Sequence, residues 1–171
     1  MARASAAFGR LLDALAAIAG LILLAMVAMV TADILLRNLV GASFAWANEV
    51  SEYALYLMTL LTAPWLLRRG QHVRLDIILT IVAPRVAWLM EAISDVLGFA
   101  VSIVLVRYGL AVTLDSARLG AVTIKNLVFA EWWLLAPLPV AFALLAIEFV
   151  FRFQRLMGSD RTRRLEATSV S

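Results

Sequence analysis

Acidic side chains recur at helical spacing in this chain, and they are the residues with which it could do chemistry. Glu49 and Glu52 stand three apart and Glu91 and Asp95 four apart, so each pair shares one helix face. Paired carboxylates inside a membrane can mark an ion or proton path, and otherwise they face other helices or water. Asp33 with Arg37 and Glu148 with Arg152 set an acid four residues before a base, the favourable order for an ion pair along a helix. The remaining inventory is short. Cysteine is absent and histidine occurs once, as His72. Thiolate catalysis, disulfides and a haem held by two histidines of one chain are thereby excluded, and His72 has no second histidine or cysteine to complete a metal site. Neither a catalytic centre nor a cofactor is expected.

The elements that must position these residues are apolar. Of 171 residues, 64% are hydrophobic, against about 45–50% in soluble domains, and the mean hydropathy is +0.93. Apolar runs cover 14–32, 45–67, 86–106 and 129–151. A run of about 20 such residues matches the roughly 30 Å hydrocarbon core of a bilayer. The expected fold is therefore an all-α membrane protein of four transmembrane helices, at about 11–37, 45–67, 85–112 and 129–153, forming one domain over 1–157. The polar remainder, 158–171, lacks a hydrophobic period and reads as a cytoplasmic tail. Arg3 and Arg10 ahead of an apolar run imitate a signal peptide. That run is longer than the 7–15 residues of a signal core, so it reads as an uncleaved first span.

Basic residues fall unevenly about these spans. Eleven of fifteen lie in the N-terminal segment, the segment between spans 2 and 3 and the C-terminal segment, leaving Arg37, Arg107, Arg118 and Lys125 on the other side. The positive-inside rule places both termini in the cytoplasm, as an even number of spans requires. The net charge of +3 is thus a topology signal rather than an affinity for nucleic acid.

Against this frame, Arg37, Glu49 and Glu52 fall beside the short outer loop and are expected to pair across it, locking spans 1 and 2 into a hairpin. The simpler alternatives are a local Asp33–Arg37 pair and acids favoured by the dipole of a helix start. Trp46 stands where an interfacial anchor belongs. Between spans 2 and 3, His72, Arg74 and Asp76 alternate with apolar residues ahead of a continuous run, 77–82. An open strand edge is disfavoured at a lipid boundary, so a short interfacial helix before Pro84 is expected. Glu91 and Asp95 lie deeper, with Arg68, Arg69 or Arg85 able to neutralise them, and Pro137 and Pro139 should kink span 4.

One ordered set of residues goes further: Asp33 and Arg37, then Trp46-Ala47-Asn48-Glu49-Val50-Ser51-Glu52-Tyr53, then Ala63-Pro64-Trp65, then Arg69-Gly70-Gln71-His72-Val73-Arg74-Leu75-Asp76. It resembles the small (Q) membrane subunit of tripartite ATP-independent periplasmic (TRAP) transporters, with a looser likeness over spans 3 and 4. The resemblance implies a multi-pass protein of the bacterial inner membrane that is not an enzyme. Its partners would be the lipid bilayer, a large membrane subunit carrying substrate and sodium sites, and a periplasmic substrate-binding protein that delivers an organic acid. The small subunit would brace the scaffold of the large one, with Asp33, Arg37, Trp46, Glu49, Glu52, Arg69, His72 and Asp76 as contacts within the chain or between subunits. A different class of reading stays open: a self-contained ion-coupled transporter formed by homo-oligomerisation, using Glu49/Glu52 or Glu91/Asp95 as its ion site.

Overall fold

The computed structural model describes residues 2–69 and 84–158. The expected interfacial helix, His72 and Asp76, and the tail beyond Gly158 lie outside these residues. Those described form helices α1 (Ala2–Val40), α2 (Ala47–Arg68), α3 (Pro84–Leu119), α4 (Trp132–Leu135) and α5 (Pro137–Gly158). Four helical stretches are long and apolar enough to cross a membrane: α1, α2, α3 and the α4–α5 unit. At 1.5 Å per residue, α1 and α3 are roughly 58 and 54 Å long, well beyond the ~30 Å apolar core, so both continue past it or tilt within it.

The helix limits follow from local chemistry. Gly41 and Gly120, just past α1 and α3, take φ of 73° and 63°, the left-handed conformation that ends helices cheaply only at glycine. Ala121 N–H then closes back onto the Ser116 carbonyl at 3.1 Å. At the fourth span, Pro137 and Pro139 lack backbone donors, and the helix is interrupted at Ala136, where the kink was expected.

Packing is pairwise, and the helices within each pair are antiparallel. α1 lies along α2, α3 along α5, and α2 against α5 joins the two pairs. All termini-proximal segments therefore lie at one end of the bundle and the 41–46 and 120–131 connections at the other; these are called the termini end and the loop end below.

What faces inward repeats every seven residues. On α1 the less exposed positions include Leu12, Ala19, Met26 and Asp33, with Leu15, Ile22, Met29 and Leu36 between them. On α3 they include Trp88, Asp95, Ser102, Gly109 and Ser116. A strict seven-residue period is that of left-handed helix pairs. The α3 seam is made of small and polar residues, because in lipid helices associate through close packing and polar contacts rather than by excluding water. The hydroxyls do not compete with this: Ser102 donates to the Gly98 carbonyl and Thr113 to the Gly109 carbonyl, each at 2.7 Å.

Gly98 sets how closely α5 approaches. A Cβ built there would stand 2.3 Å from the Phe149 ring, inside any tolerable contact. Gly98→Val should therefore force α3 and α5 apart at a cost of about 1–3 kcal/mol, the usual range for overpacking. Detergent-state unfolding should show the loss, and adding Phe149→Ala should recover part of it. An unchanged unfolding midpoint in Gly98→Val would refute this account of the α3–α5 contact.

Candidate functional site

The charged residues gather at the two ends of the bundle. At the termini end the central group is Glu148 on α5, whose side chain has no exposed surface. Its Oε2 accepts from Arg68 Nη1 of α2 at 3.0 Å, and its Oε1 accepts from Arg155 Nη2 of its own helix. Arg68 reaches on to α1: Nη2 donates to the Ser5 carbonyl at 2.7 Å. The guanidinium lies over Gly9, where a Cβ would stand 2.8 Å from Nη2. A glycine on α1 thus makes room for the arginine that joins α1, α2 and α5. Each Glu148 oxygen takes a charge-assisted bond, as a carboxylate withdrawn from solvent requires.

Asp95 on α3 is almost as enclosed. Its Oδ1 lies 3.0 Å from Arg152 Nε of α5 in an ion pair, with 1% of the aspartate side chain exposed. The approach lacks hydrogen-bond alignment, so neither carboxylate oxygen has a hydrogen-bond donor among the described residues. Glu91, one turn earlier, is half-buried and takes part in interactions of its own. Asp95 thus pairs with Arg152, a cation other than the Arg68, Arg69 or Arg85 that could have neutralised it. The expected Glu148–Arg152 pair is likewise replaced: Arg152 goes to α3, and Glu148 takes Arg68 and Arg155. This exchange leaves each of the two buried acids with a cation, where a Glu148–Arg152 pair would leave Asp95 without Arg152.

A third polar group lies between α1 and α2. Asp13 Oδ1 accepts from Trp65 Nε1 at 2.9 Å and lies 3.5 Å from Arg69 Nη2. The Arg69 guanidinium stands 4.5 Å from the centre of the Trp65 ring.

At the loop end, Asp33 is buried and holds the turn after α1. Its Oδ1 accepts the Phe44 backbone N–H at 2.6 Å and its Oδ2 accepts from Arg37 at 3.1 Å. Phe44 in turn packs on Trp46, with ring centres 5.3 Å apart, at the start of α2. Glu49, also buried, accepts the backbone N–H groups of Asn126 and Leu127 at 2.7 and 2.9 Å, one on each oxygen. Glu52 receives Lys125 Nζ at 3.0 Å, and Asn126 Nδ2 donates to the Ala45 carbonyl. The bond to Glu52 and its negative charge hold the Lys125 ammonium above its ordinary pKa. The 120–131 connection that these acids grip is itself folded, by a Val122–Ala130 bridge and by Thr123 across its base. Tyr53 meets Phe129 edge to face at 5.6 Å.

The expected hairpin lock is therefore rearranged. Arg37 stays on its own helix with Asp33, and Glu49 and Glu52 bind the α3–α4 connection, tying α2 to the second helix pair. Two amides and a lysine converge on them there, a stronger set than the 62%-exposed Arg37 could offer. Sequence reasoning gave no role to Arg68, Asp13, Lys125 or Asn126 in these contacts. Their partners lie 52 to 81 residues away along the chain, beyond the reach of spacing rules. Among the described residues, no group of three or more His, Cys, Asp or Glu side chains could hold a metal ion. What the arrangement can do is fasten: six carboxylates each terminate on a cation, a donor or both.

The family model for the DctQ component of tripartite ATP-independent periplasmic transporters matches residues 26–158 of the chain. No curated protein matches it.

Removing the Glu148 charge should leave Arg68 uncompensated among three helices. Glu148→Gln is expected to cost about 3–5 kcal/mol, the range for breaking a buried ion pair from one side. Arg155→Ala should cost less, since that side chain is 47% exposed. Equal stability of wild type and Glu148→Gln in detergent unfolding would contradict this. Glu49→Ala should raise hydrogen exchange at the Asn126 and Leu127 amides while leaving those in the middle of α1 unchanged.

Proposed function

The chain belongs to the DctQ family, the small (Q) subunit of TRAP transporters, and from this premise we propose that it is a non-catalytic brace for the large transport subunit. It is a multi-pass membrane protein and a transporter component. In the proposed arrangement it lies in the bacterial inner membrane with both termini in the cytoplasm. The termini end then faces the cytoplasm and the loop end the periplasm, in accord with the excess of arginine near the termini. The large subunit would move an organic acid with sodium, after a periplasmic binding protein delivers it.

The observation that carries the bracing role is the state of the buried carboxylates. A coupling site needs an acid free to take and release a cation. Here Glu148 is bonded on both oxygens, Glu49 holds two loop amides, and Asp95 is paired with Arg152. Of the groups that an independent ion-coupled transporter would use, Glu49, Glu52 and Asp95 are engaged in ties between segments of the chain. Wide apolar faces remain outside these ties: on α1, Leu21 and Leu24 are 66% and 67% exposed, and α3 presents Val96 and Leu97. Such surfaces suit lipid and the apolar flank of another membrane subunit. Within this role Asp33, Arg37, Trp46, Glu49 and Glu52 shape the periplasmic end that the partners would meet, and Arg69, His72 and Asp76 belong to the cytoplasmic side.

Reconstitution separates this reading from the homo-oligomeric one. The chain alone in proteoliposomes should give no uptake under a sodium or proton gradient. Adding the large subunit and the binding protein should give sodium-dependent uptake that falls when the chain is left out. Uptake by the chain alone would overturn the proposal. A reporter fused after Ser171 that is active only in the periplasm would overturn the topology.

A further inference from the structure

A groove of about 650 Å³ runs between α1 and α2. Its walls include Ala17, Gly20 and Leu23 of α1 and Met58, Thr59 and Ala63 of α2, and Asp13, Trp65 and Arg69 stand at one end. Small side chains open it, and a Cβ built on Gly20 meets nothing within 4 Å. The wall hydroxyls are spent on their own helix: Thr59 donates to the Leu55 carbonyl at 2.7 Å and Thr62 to the Met58 carbonyl at 2.8 Å. The walls therefore ask nothing of an occupant but apolar contact.

Length narrows the choice. From Asp13 to Leu23 on α1, or from Arg69 to Met58 on α2, the helical rise is roughly 15–17 Å. That is half of the ~30 Å hydrocarbon core, the depth of one leaflet. A partner helix crossing the whole membrane would call for a groove of twice this length, whereas an acyl chain entering from one face stops at mid-membrane.

The mouth is charged at the level where a headgroup would sit. Arg69 is braced against the Trp65 ring at 4.5 Å. Its only ion pair among the described residues is to Asp13, at 3.5 Å, with the two side chains 53% and 59% exposed. A guanidinium has five donors and matches phosphate geometry. Asp13, once bonded to Trp65 Nε1, still has acceptor capacity for an ammonium. An exposed cation and anion side by side complement a zwitterionic headgroup.

We propose that this groove is a phospholipid site, with one acyl chain between α1 and α2, the phosphate on Arg69 and a headgroup ammonium on Asp13. The bound chain would fill the gap that the small residues leave and make α1 and α2 one surface. The site requires only that these helices cross a bilayer, so it stands or falls apart from the bracing role.

Native mass spectrometry of the full chain, delipidated in detergent and titrated with phosphatidylethanolamine, tests it. A 1:1 adduct is expected. Phosphatidylethanolamine should bind Arg69→Ala about tenfold more weakly, the scale of one lost charge-assisted hydrogen bond, and diacylglycerol with the same chains, lacking both phosphate and ammonium, should bind wild type at least about tenfold more weakly. Gly20→Phe, which fills the groove, should abolish the adduct, and unchanged circular dichroism would show that it folds. Equal retention of phosphatidylethanolamine by wild type, Arg69→Ala and Gly20→Phe would overturn the site; if Gly20→Phe misfolds, equal retention by Arg69→Ala and equal affinity for diacylglycerol overturn it. In the assembled transporter, a bifunctional crosslink from Ala17→Cys, placed in a chain without native cysteine, to the large subunit would also overturn it by showing a protein occupant.

Discussion

A carboxylate enclosed among apolar helices is the constraint on which this bundle depends. Isolated, the Glu148 charge would be prohibitively costly in a low-dielectric interior. It becomes tolerable only because α2 brings Arg68 and α5 brings Arg155 to it. That requirement propagates. Arg68 needs space on α1, which Gly9 leaves, and an acceptor, which the Ser5 backbone supplies. One acid on the last helix therefore fixes the register of the first, second and fifth helices. Hydrophobic burial could not do this, because lipid tails solvate a leucine as well as another helix does.

The loop end solves a different problem with the same chemistry. There the exposed ends of helices and their connections must be held in place. Asp33 and Glu49 do so by accepting backbone amides rather than only side-chain cations. A backbone N–H is fixed in place by the chain around it, so a carboxylate on two successive amides sets the position of a segment and not merely of a flexible side chain. The two helix pairs are thereby joined at both ends of the bundle, by Arg68–Glu148 at one and by Glu49 with the Asn126–Leu127 amides at the other.

How much of this was legible in the sequence depends on the physics behind each feature. The four spans were legible because membrane thickness sets the length of an apolar run, and the break at Pro137 because proline lacks a donor. The residue set from Asp33 to Asp76 carried the family likeness. The seven-residue seams were not legible. In water a buried stripe is more apolar than its surroundings, but here the lipid-facing residues are as apolar as those inside, and the α3 seam is marked by Asp95, Ser102, Gly109 and Ser116 instead. The charged residues were visible and their partners were not. Spacing rules assign a charge to its helical neighbour, so they paired Glu148 with Arg152. In the fold Arg152 is drawn to the buried Asp95 of α3, and Glu148 is met by Arg68 from α2 and by Arg155 from its own helix, so each buried acid has a cation.

The pattern of ties also bears on why such a chain would contain deep acids at all. A bundle held only by apolar packing in lipid has many near-equivalent registers, since sliding a helix by one turn exchanges one aliphatic contact for another. A buried ion pair removes that degeneracy, because a shift of one helical turn, about 5.4 Å, leaves both charges unpaired. Asp95 with Arg152 does this for α3 and α5, and Glu148 with Arg68 for α2 and α5. Between these pairs, Gly98 against Phe149 excludes any side chain that would hold the helices further apart. A bundle so fixed in register is consistent with the stationary bracing role proposed above.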